Sequence, residues 1–320
     1  MTKPLEVTVI SGKGGTGKTV LASSLAALFD DKVVADCDVD APDLHLLLKP
    51  SVRKTEDFVA AKVASIDTDR CTACGKCFEV CRFQAVGRVE APAAAGSGGG
   101  SAGGRYEIDR LACEGCGVCE WMCPAGAISL ADTHGGKWFV SDTRFGTMVH
   151  ASLGVAEENS GKLVSIVRRE ARNEAISQGR KVVLIDGPPG IGCPVIASIA
   201  GADLAVIVTE PTLSGIHDLE RVLGLADHFG LRKGVVINKH DLNPDMTAGI
   251  EEYLGAHEIP LLGKIPFDRD VSLAIADAQT VIEHSSGEVS TCIRGIAGGI
   301  ISSLYDNQDA KIGSKDEDGT

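Results

Sequence analysis

Aromatic residues are scarce in this chain of 320: eight Phe, two Trp and three Tyr make up 4% of it. Proteins that hold single-stranded nucleic acid stack its bases on aromatic side chains, and that platform is missing. Positive charge is short as well, 31 Lys and Arg against 44 Asp and Glu, for a formal net charge of −13. Such a surface repels phosphate backbones, so no nucleic-acid partner is expected. No stretch approaches the roughly 18 consecutive apolar residues of a membrane span. Nor does an apolar signal segment follow Met1, and the stretch from Asp306 onward is acidic and polar rather than amphipathic. The expectation is a cytoplasmic protein without a membrane partner. Its histidines show no paired metal-ligand spacing.

Cysteine, by contrast, is plentiful and ordered. Of eleven, eight fall in two identical runs, Cys71, Cys74, Cys77, Cys81 and Cys113, Cys116, Cys119, Cys123. With 44% hydrophobic residues the chain can bury a core without disulfide staples, and zinc sites commonly present paired C-x2-C units instead. The spacing C-x2-C-x2-C-x3-C lets three thiolates wrap one cluster while the fourth reaches its neighbour. Two 4Fe-4S clusters are therefore expected, one on Cys71, Cys74, Cys77 and Cys123, the other on Cys113, Cys116, Cys119 and Cys81. Of these eight only Cys123 is followed by proline, Pro124; Arg82 follows Cys81 and places a cation near the sulfurs of one cluster.

A nucleotide site opens the chain. Leu5–Ile10 reads as a buried strand and Val20–Phe29 as an apolar helical pattern. Between them stands Gly12-Lys13-Gly14-Gly15-Thr16-Gly17-Lys18-Thr19. This is a P-loop in its strand-loop-helix context: the glycines turn backbone N–H groups toward phosphates, Lys18 reaches the β- and γ-phosphates, and the Thr19 hydroxyl takes Mg2+. Further buried strands are expected at Val33–Asp36, Lys181–Ile185, Leu204–Val208, Gly234–Ile237 and Leu261–Ile265. Alternation with helices predicts an α/β fold, a doubly wound, mostly parallel sheet. Asn238-Lys239-His240-Asp241 matches the N-K-x-D motif by which GTPases read guanine, which leaves ATP and GTP in competition.

Lys13 extends the motif into a resemblance. A second lysine early in the loop is similar to the signature lysine of the deviant Walker A ATPases, the MinD/Mrp superfamily, which includes the nitrogenase iron protein. In that class it reaches across a homodimer to the partner's nucleotide. Asp36-Cys37-Asp38-Val39-Asp40-Ala41-Pro42-Asp43 looks like the switch I segment of the class, with Asp38 orienting the attacking water and Asp43 a candidate for the Mg2+ shell. Asp186-Gly187-Pro188-Pro189-Gly190 resembles Walker B and switch II, Asp186 holding Mg2+ and the Gly190 N–H sensing the γ-phosphate. The equivalent of Asn238 usually contacts adenine there. Three further strings, Glu157 to Val164, Gly187 to Pro194 and Thr209 to Thr212, resemble the members of the superfamily with an inserted two-cluster ferredoxin domain.

The resemblance implies a P-loop ATPase domain over 1–58 and 132–305, a ferredoxin-like α+β insert over 59–131 flanked by short strands, and a polar disordered tail over 306–320. Residues 91–104, nearly all Ala, Gly and Ser, read as a flexible loop. Cys193 stands seven positions after Asp186, where the nitrogenase iron protein places a cluster ligand; the alternative is a small buried cysteine at a helix start. Cys37 and Cys292 read as packing residues. The implied function is ATP hydrolysis coupled to assembly or transfer of metal-sulfur clusters, with an apo metal-sulfur protein as partner. The other readings are ATP-gated electron donation to a redox partner and, behind it, spatial regulation.

Overall fold

The structure is a computed structural model that describes residues 3–89, 105–154 and 160–313, by backbone alone from 305 onward. The expected flexible loop at 91–104 lies outside the described residues. In chain order the elements begin with β1 (Leu5–Ser11), α1 (Lys18–Leu28), β2 (Lys32–Asp36), α2 (Leu44–Leu48) and β3 (Ser51–Ile66). Next come α3 (Lys76–Val80), β4 (Val86–Val89), β5 (Arg105–Ile108), α4 (Val118–Trp121), β6 (Ile128–Thr143) and β7 (Gly146–Leu153). The alternation then resumes with α5 (Ser160–Ser177), β8 (Val182–Pro189), α6 (Cys193–Ile199), β9 (Leu204–Thr209), α7 (Leu213–His228) and β10 (Lys233–Asn238). It closes with α8 (Pro244–Ala256), β11 (Leu261–Ile265), α9 (Arg269–Ala276), α10 (Val281–His284) and α11 (Glu288–Gly313).

The chain divides into two units, one of Met1–Glu56, Lys137–Leu153 and Asn159–Thr320, the other of Asp57–Gly136 with Gly154–Glu158. In the first unit the sheet runs β11-β10-β9-β1-β8-β2-β7 and continues through β6 and β3, which both units share. Every pair from β11 to β7 is parallel. Successive residues of a strand face opposite sides. Val206 and Val208 accordingly enter a core with Leu21, Leu25 and Ile296, while Ala205 and Ile207 enter a second core with Ile199, Val222 and Ile250. A sheet covered on both faces explains why these strands read as unbroken apolar runs. Because β1, β8 and β2 are adjacent, their carboxyl ends gather at one edge.

The second unit begins at Asp57 and returns at Gly136, two residues before and five after the expected insert. It holds the antiparallel pair β4 and β5, in register from Val86 opposite Ile108 to Val89 opposite Arg105, and the short helices α3 and α4. Its core joins Ala64, Cys77, Val86 and Ile128 to Tyr106, Ile108, Cys81, Cys113, Cys119 and Cys123. Ile66 and Leu130 complete it, so cysteine supplies five of its twelve members. Two expectations need correcting. The strands that flank the insert are not short: β3 and β6 are each 16 residues long. The opening residues of β3, Ser51 to Asp57, are all exposed and mostly polar, and so carry no apolar alternation to announce a strand. The tail does not become irregular at 306, because α11 continues to Gly313.

Candidate functional site

In the first unit the P-loop joins β1 to α1. Gly15 and Gly17 take φ of 80° and 90°, a region costly for any residue with a Cβ. A Cβ on Gly17 would also stand 2.3 Å from Asn238 Nδ2. Asn238, at the end of β10, donates from Nδ2 to the Thr16 carbonyl at 2.8 Å and so fixes the loop from the other side. Lys18 is buried, and its Nζ lies 2.8 Å from Asp186 Oδ1, 3.4 Å from Asp38 Oδ2 and 3.3 Å from Thr19 Oγ1. Burial opposes the charge on Lys18, but Asp186 and Asp38 outweigh it and hold the ammonium above the ordinary lysine value.

The sequence reading missed Asp36. It pairs in register with Asp186 across β2 and β8, and both carboxylates are buried. Burial, and then the neighbouring Asp186, push the Asp36 carboxyl well above its ordinary range, against the pull of Lys18. Burial raises Asp38 as well, again against Lys18. Asp36 Oδ1 accepts the Asp38 N–H at 3.1 Å. Its Oδ2, together with Asp186 Oδ2 and Thr16 Oγ1, is buried without a hydrogen-bond partner. A buried orphan oxygen is costly unless a ligand completes it, and an oxygen-lined edge beside Thr19 fits a hydrated Mg2+ and phosphate. The signal in sequence was Asp36 closing an apolar strand, the position Asp186 also holds. Asp43 is not brought to this group; it stands exposed before α2.

Beside the loop lies a cavity of about 260 Å3 with apolar walls from Val20, Val208, Ile265, Phe267 and Ile293 and with Asn238 and Lys239 among its polar members. Asp241, the acidic member of the N-K-x-D string, is not a lining residue; its Oδ1 accepts the Phe267 N–H at 2.7 Å. Lys239 donates to the Gly15 carbonyl at 3.4 Å. Lys13 lies against Glu210, at 2.6 Å. Gly190, with φ of 92°, donates its N–H to the Ser11 carbonyl at 2.8 Å rather than holding it free.

In the second unit the eight cysteines surround two cavities. One is lined by Cys71, Cys74, Cys77 and Cys123, the other by Cys113, Cys116, Cys119 and Cys81. A local pseudo-symmetry produces this crossing. Asp67 and Asp109 each stand four residues before a run, and their N–H groups donate to the carbonyls of Ala127 and Ala85, each four residues after the other run. Within the runs, Ala73 and Gly115 are both left-handed, at φ of 54° and 61°, and so are Gly75 and Gly117, at 79° and 78°. A Cβ on Gly115 would meet the Lys62 carbonyl oxygen at 2.0 Å. Backbone N–H groups point at sulfur: Ala73 to Cys71 at 3.4 Å, Ala127 to Cys123 at 3.3 Å and Ala64 to Cys113 at 3.5 Å. Burial raises the thiols of Cys77 and Cys119. Among the described residues no three His, Cys, Asp or Glu converge on one point as a single-ion site requires.

Cys193 is the first residue of α6 but is exposed, not buried. Cys37 is fully buried, and burial pushes its thiol far up. Cys292 is half-buried on α11. Of the strings that carried the family resemblance, residues 155–159 lie outside the described residues, and α5 starts at Ser160.

Comparison with known proteins agrees with the nucleotide half of this geometry. An uncharacterized protein of Methanocaldococcus jannaschii is 32% identical over 293 residues, 91% of this chain and 94% of its own. The septum site-determining protein MinD of Helicobacter pylori is 35% identical over 111 residues, 31% of this chain and 41% of its own. Among solved structures, MinD of Pyrococcus horikoshii complexed with Mg-ADP superposes with a TM-score of 0.54 at 15% identity, over 95% of this chain and 98% of that one. The model of the CobQ/CobB/MinD/ParA nucleotide binding domain matches residues 7–281, and the chain belongs to that family of mostly parallel α/β P-loop proteins.

Proposed function

We propose that the protein is an ATP hydrolase whose second unit binds two 4Fe-4S clusters, and that nucleotide turnover controls what those clusters deliver to a partner. The observation that carries this reading is the sorting of eight cysteines into two four-thiol cavities, each with three members from one run and the fourth from the other. A single zinc ion would need four sulfurs converging within about 2.3 Å of one point. A cubane instead takes one thiolate on each of four irons, so its ligands stand apart around a cavity. When bound, each cluster supplies one-electron transfer.

On the nucleotide side, Lys18 would neutralise the phosphates, Thr19 and Asp186 would hold Mg2+, Asp38 would orient water, and Lys13 would act across a homodimer. Asp241 does not line the cavity beside the P-loop, and one of its carboxylate oxygens accepts the Phe267 N–H, which supports adenine over guanine as the base. The crossed ligation favours electron delivery, since neither cavity empties without disturbing a run that serves the other. A second reading, ATP-dependent assembly or transfer of clusters to an apo metal-sulfur protein, is favoured by the exposure of Cys74 and Cys116. An acceptor thiol has access at those equivalent positions. A spatial role like that named for MinD rests on sequence matches that each span less than half of this chain.

The test is anaerobic purification followed by iron and acid-labile sulfide counts and an ATPase assay. About eight irons and eight sulfides per chain are expected, with Mg2+-dependent ATP hydrolysis. Adding ATP with an apo-acceptor and, separately, with a one-electron acceptor then decides what is delivered. A protein that hydrolyses ATP but holds zinc or no metal would contradict the proposal.

A further inference from the structure

Lys13 is folded back onto its own protomer in an arrangement that ordinary helix electrostatics disfavours. Its Nζ donates to Thr212 Oγ1 at 3.3 Å and to Ser214 Oγ at 3.0 Å, at the N-terminus of α7. Thr212 is the N-cap there, and its hydroxyl already accepts the Gly215 N–H at 3.0 Å. A helix N-terminus carries partial positive charge and repels a cation. What offsets the repulsion is Glu210, whose Oε1 lies 2.6 Å from Lys13 Nζ and whose side chain is only 14% exposed. The other carboxylate oxygen is 3.2 Å from Lys239 Nζ, so one residue faces Lys13 and Lys239 together. Burial pushes the Glu210 carboxyl up, but the hydrogen bonds from Lys13 and Lys239 outweigh it and keep it below its ordinary value. The segment that carries Glu210 has little room to move: Thr209 Oγ1 donates to the Gly215 carbonyl at 3.1 Å, and a Cβ on Gly215 would meet the Glu210 carbonyl oxygen at 2.3 Å.

We propose that Glu210 is a positioning residue that parks Lys13 on its own protomer, so that Lys13 reaches the nucleotide of a second copy of this chain only by giving up this ion pair. The proposal rests on the reading that Lys13 acts across a dimer during ATP hydrolysis. Its consequence is a threshold. Each protomer loses one pair on dimerising, and Glu210 thereby sets the protein concentration at which hydrolysis turns on. Turnover within the assembled dimer, where Lys13 is already released, does not depend on it.

The experiment measures specific ATPase rate against protein concentration for the holoprotein at saturating Mg-ATP. Glu210→Gln keeps the size of the side chain and removes its charge. The concentration for half-maximal rate should fall roughly threefold to tenfold, the worth of one partly exposed ion pair in each protomer. The maximal rate should stay within about twofold of the parent, as expected for a group that acts before the chemical step. Glu210→Asp restores the charge on a shorter stem and should lie between the two; it also serves if the first variant folds poorly. Lys13→Ala should lower the maximal rate, and adding Glu210→Gln to it should shift nothing. An unchanged or raised half-maximal concentration in both Glu210 variants, with Lys13→Ala still impaired, would overturn the parking role alone. A rate independent of protein concentration in the parent would overturn it too. Full turnover in Lys13→Ala would remove the reading on which the proposal stands, and the proposal with it.

Discussion

Lys18 and the eight cysteines belong to separate residue sets, and the chemistry at each depends on single atoms. Lys18 is held by Asp186 at 2.8 Å and Asp38 at 3.4 Å, and no cysteine is among its contacts. Lys18→Ala and Asp186→Ala are each expected to abolish ATP hydrolysis while iron content stays at the parent value, measured by colorimetric iron assay beside phosphate release. A coupled loss of iron would contradict the division. In the second unit the comparable test is conformational. Gly115 sits where a Cβ would strike the Lys62 carbonyl, whereas the equivalent Ala73 already carries one in the left-handed region. Gly115→Ala should therefore lose iron and visible absorbance. Ala73→Gly relieves a left-handed residue at about the cost of glycine's extra chain entropy, and should change stability by no more than about 1 kcal/mol. The P-loop residues were legible because the full motif constrains backbone and side chain together. Asp36 was not, because its role depends on lying beside Asp186 across two strands that are far apart in sequence.

The elements divide the same way. β1, β2, β8, β9 and β10 were readable as apolar runs because a parallel sheet buries both faces of each of these strands, whereas β11, at the sheet edge, buries only Ile265. The outer half of β3 has exposed, charged residues on both faces and left no period to read. The spacing of the two cysteine runs led to the expectation of crossed ligation, but it carried no sign of the paired hydrogen bonds from Asp67 to Ala127 and from Asp109 to Ala85. That crossing makes a specific prediction. Cys81→Ser should perturb the signal of the cluster on Cys113, Cys116 and Cys119, while Cys123→Ser should perturb the one on Cys71, Cys74 and Cys77. Electron paramagnetic resonance of the reduced variants distinguishes the two signals. If each substitution disturbed the cluster of its own run instead, the pairing read from the cavities would be wrong. Arg82, exposed beside Cys81, adds a finer expectation. Removing this cation as Arg82→Ala should lower the reduction potential of the cluster that Cys81 serves, since the reduced state carries the extra negative charge.

At the scale of the whole molecule, one chain is proposed to join nucleotide turnover to cluster chemistry. The chain leaves the first unit at Asp57, after the Asp38 loop, and is back in it before Asp186, so the second unit lies in sequence between two segments expected to respond to the γ-phosphate. Coupling between sites is reciprocal: if ATP shifts a reduction potential, reduction shifts ATP affinity by the same free energy. Typical coupling of about 1–3 kcal/mol corresponds to roughly 40–130 mV for a one-electron couple. The decisive measurement is a redox titration of the holoprotein, followed by electron paramagnetic resonance, with and without a non-hydrolysable ATP analogue and Mg2+. At least one cluster potential should move by tens of millivolts on nucleotide binding, and reduced and oxidised protein should bind the analogue with correspondingly different affinities. Identical potentials in both titrations, with equal affinities, would contradict this coupling.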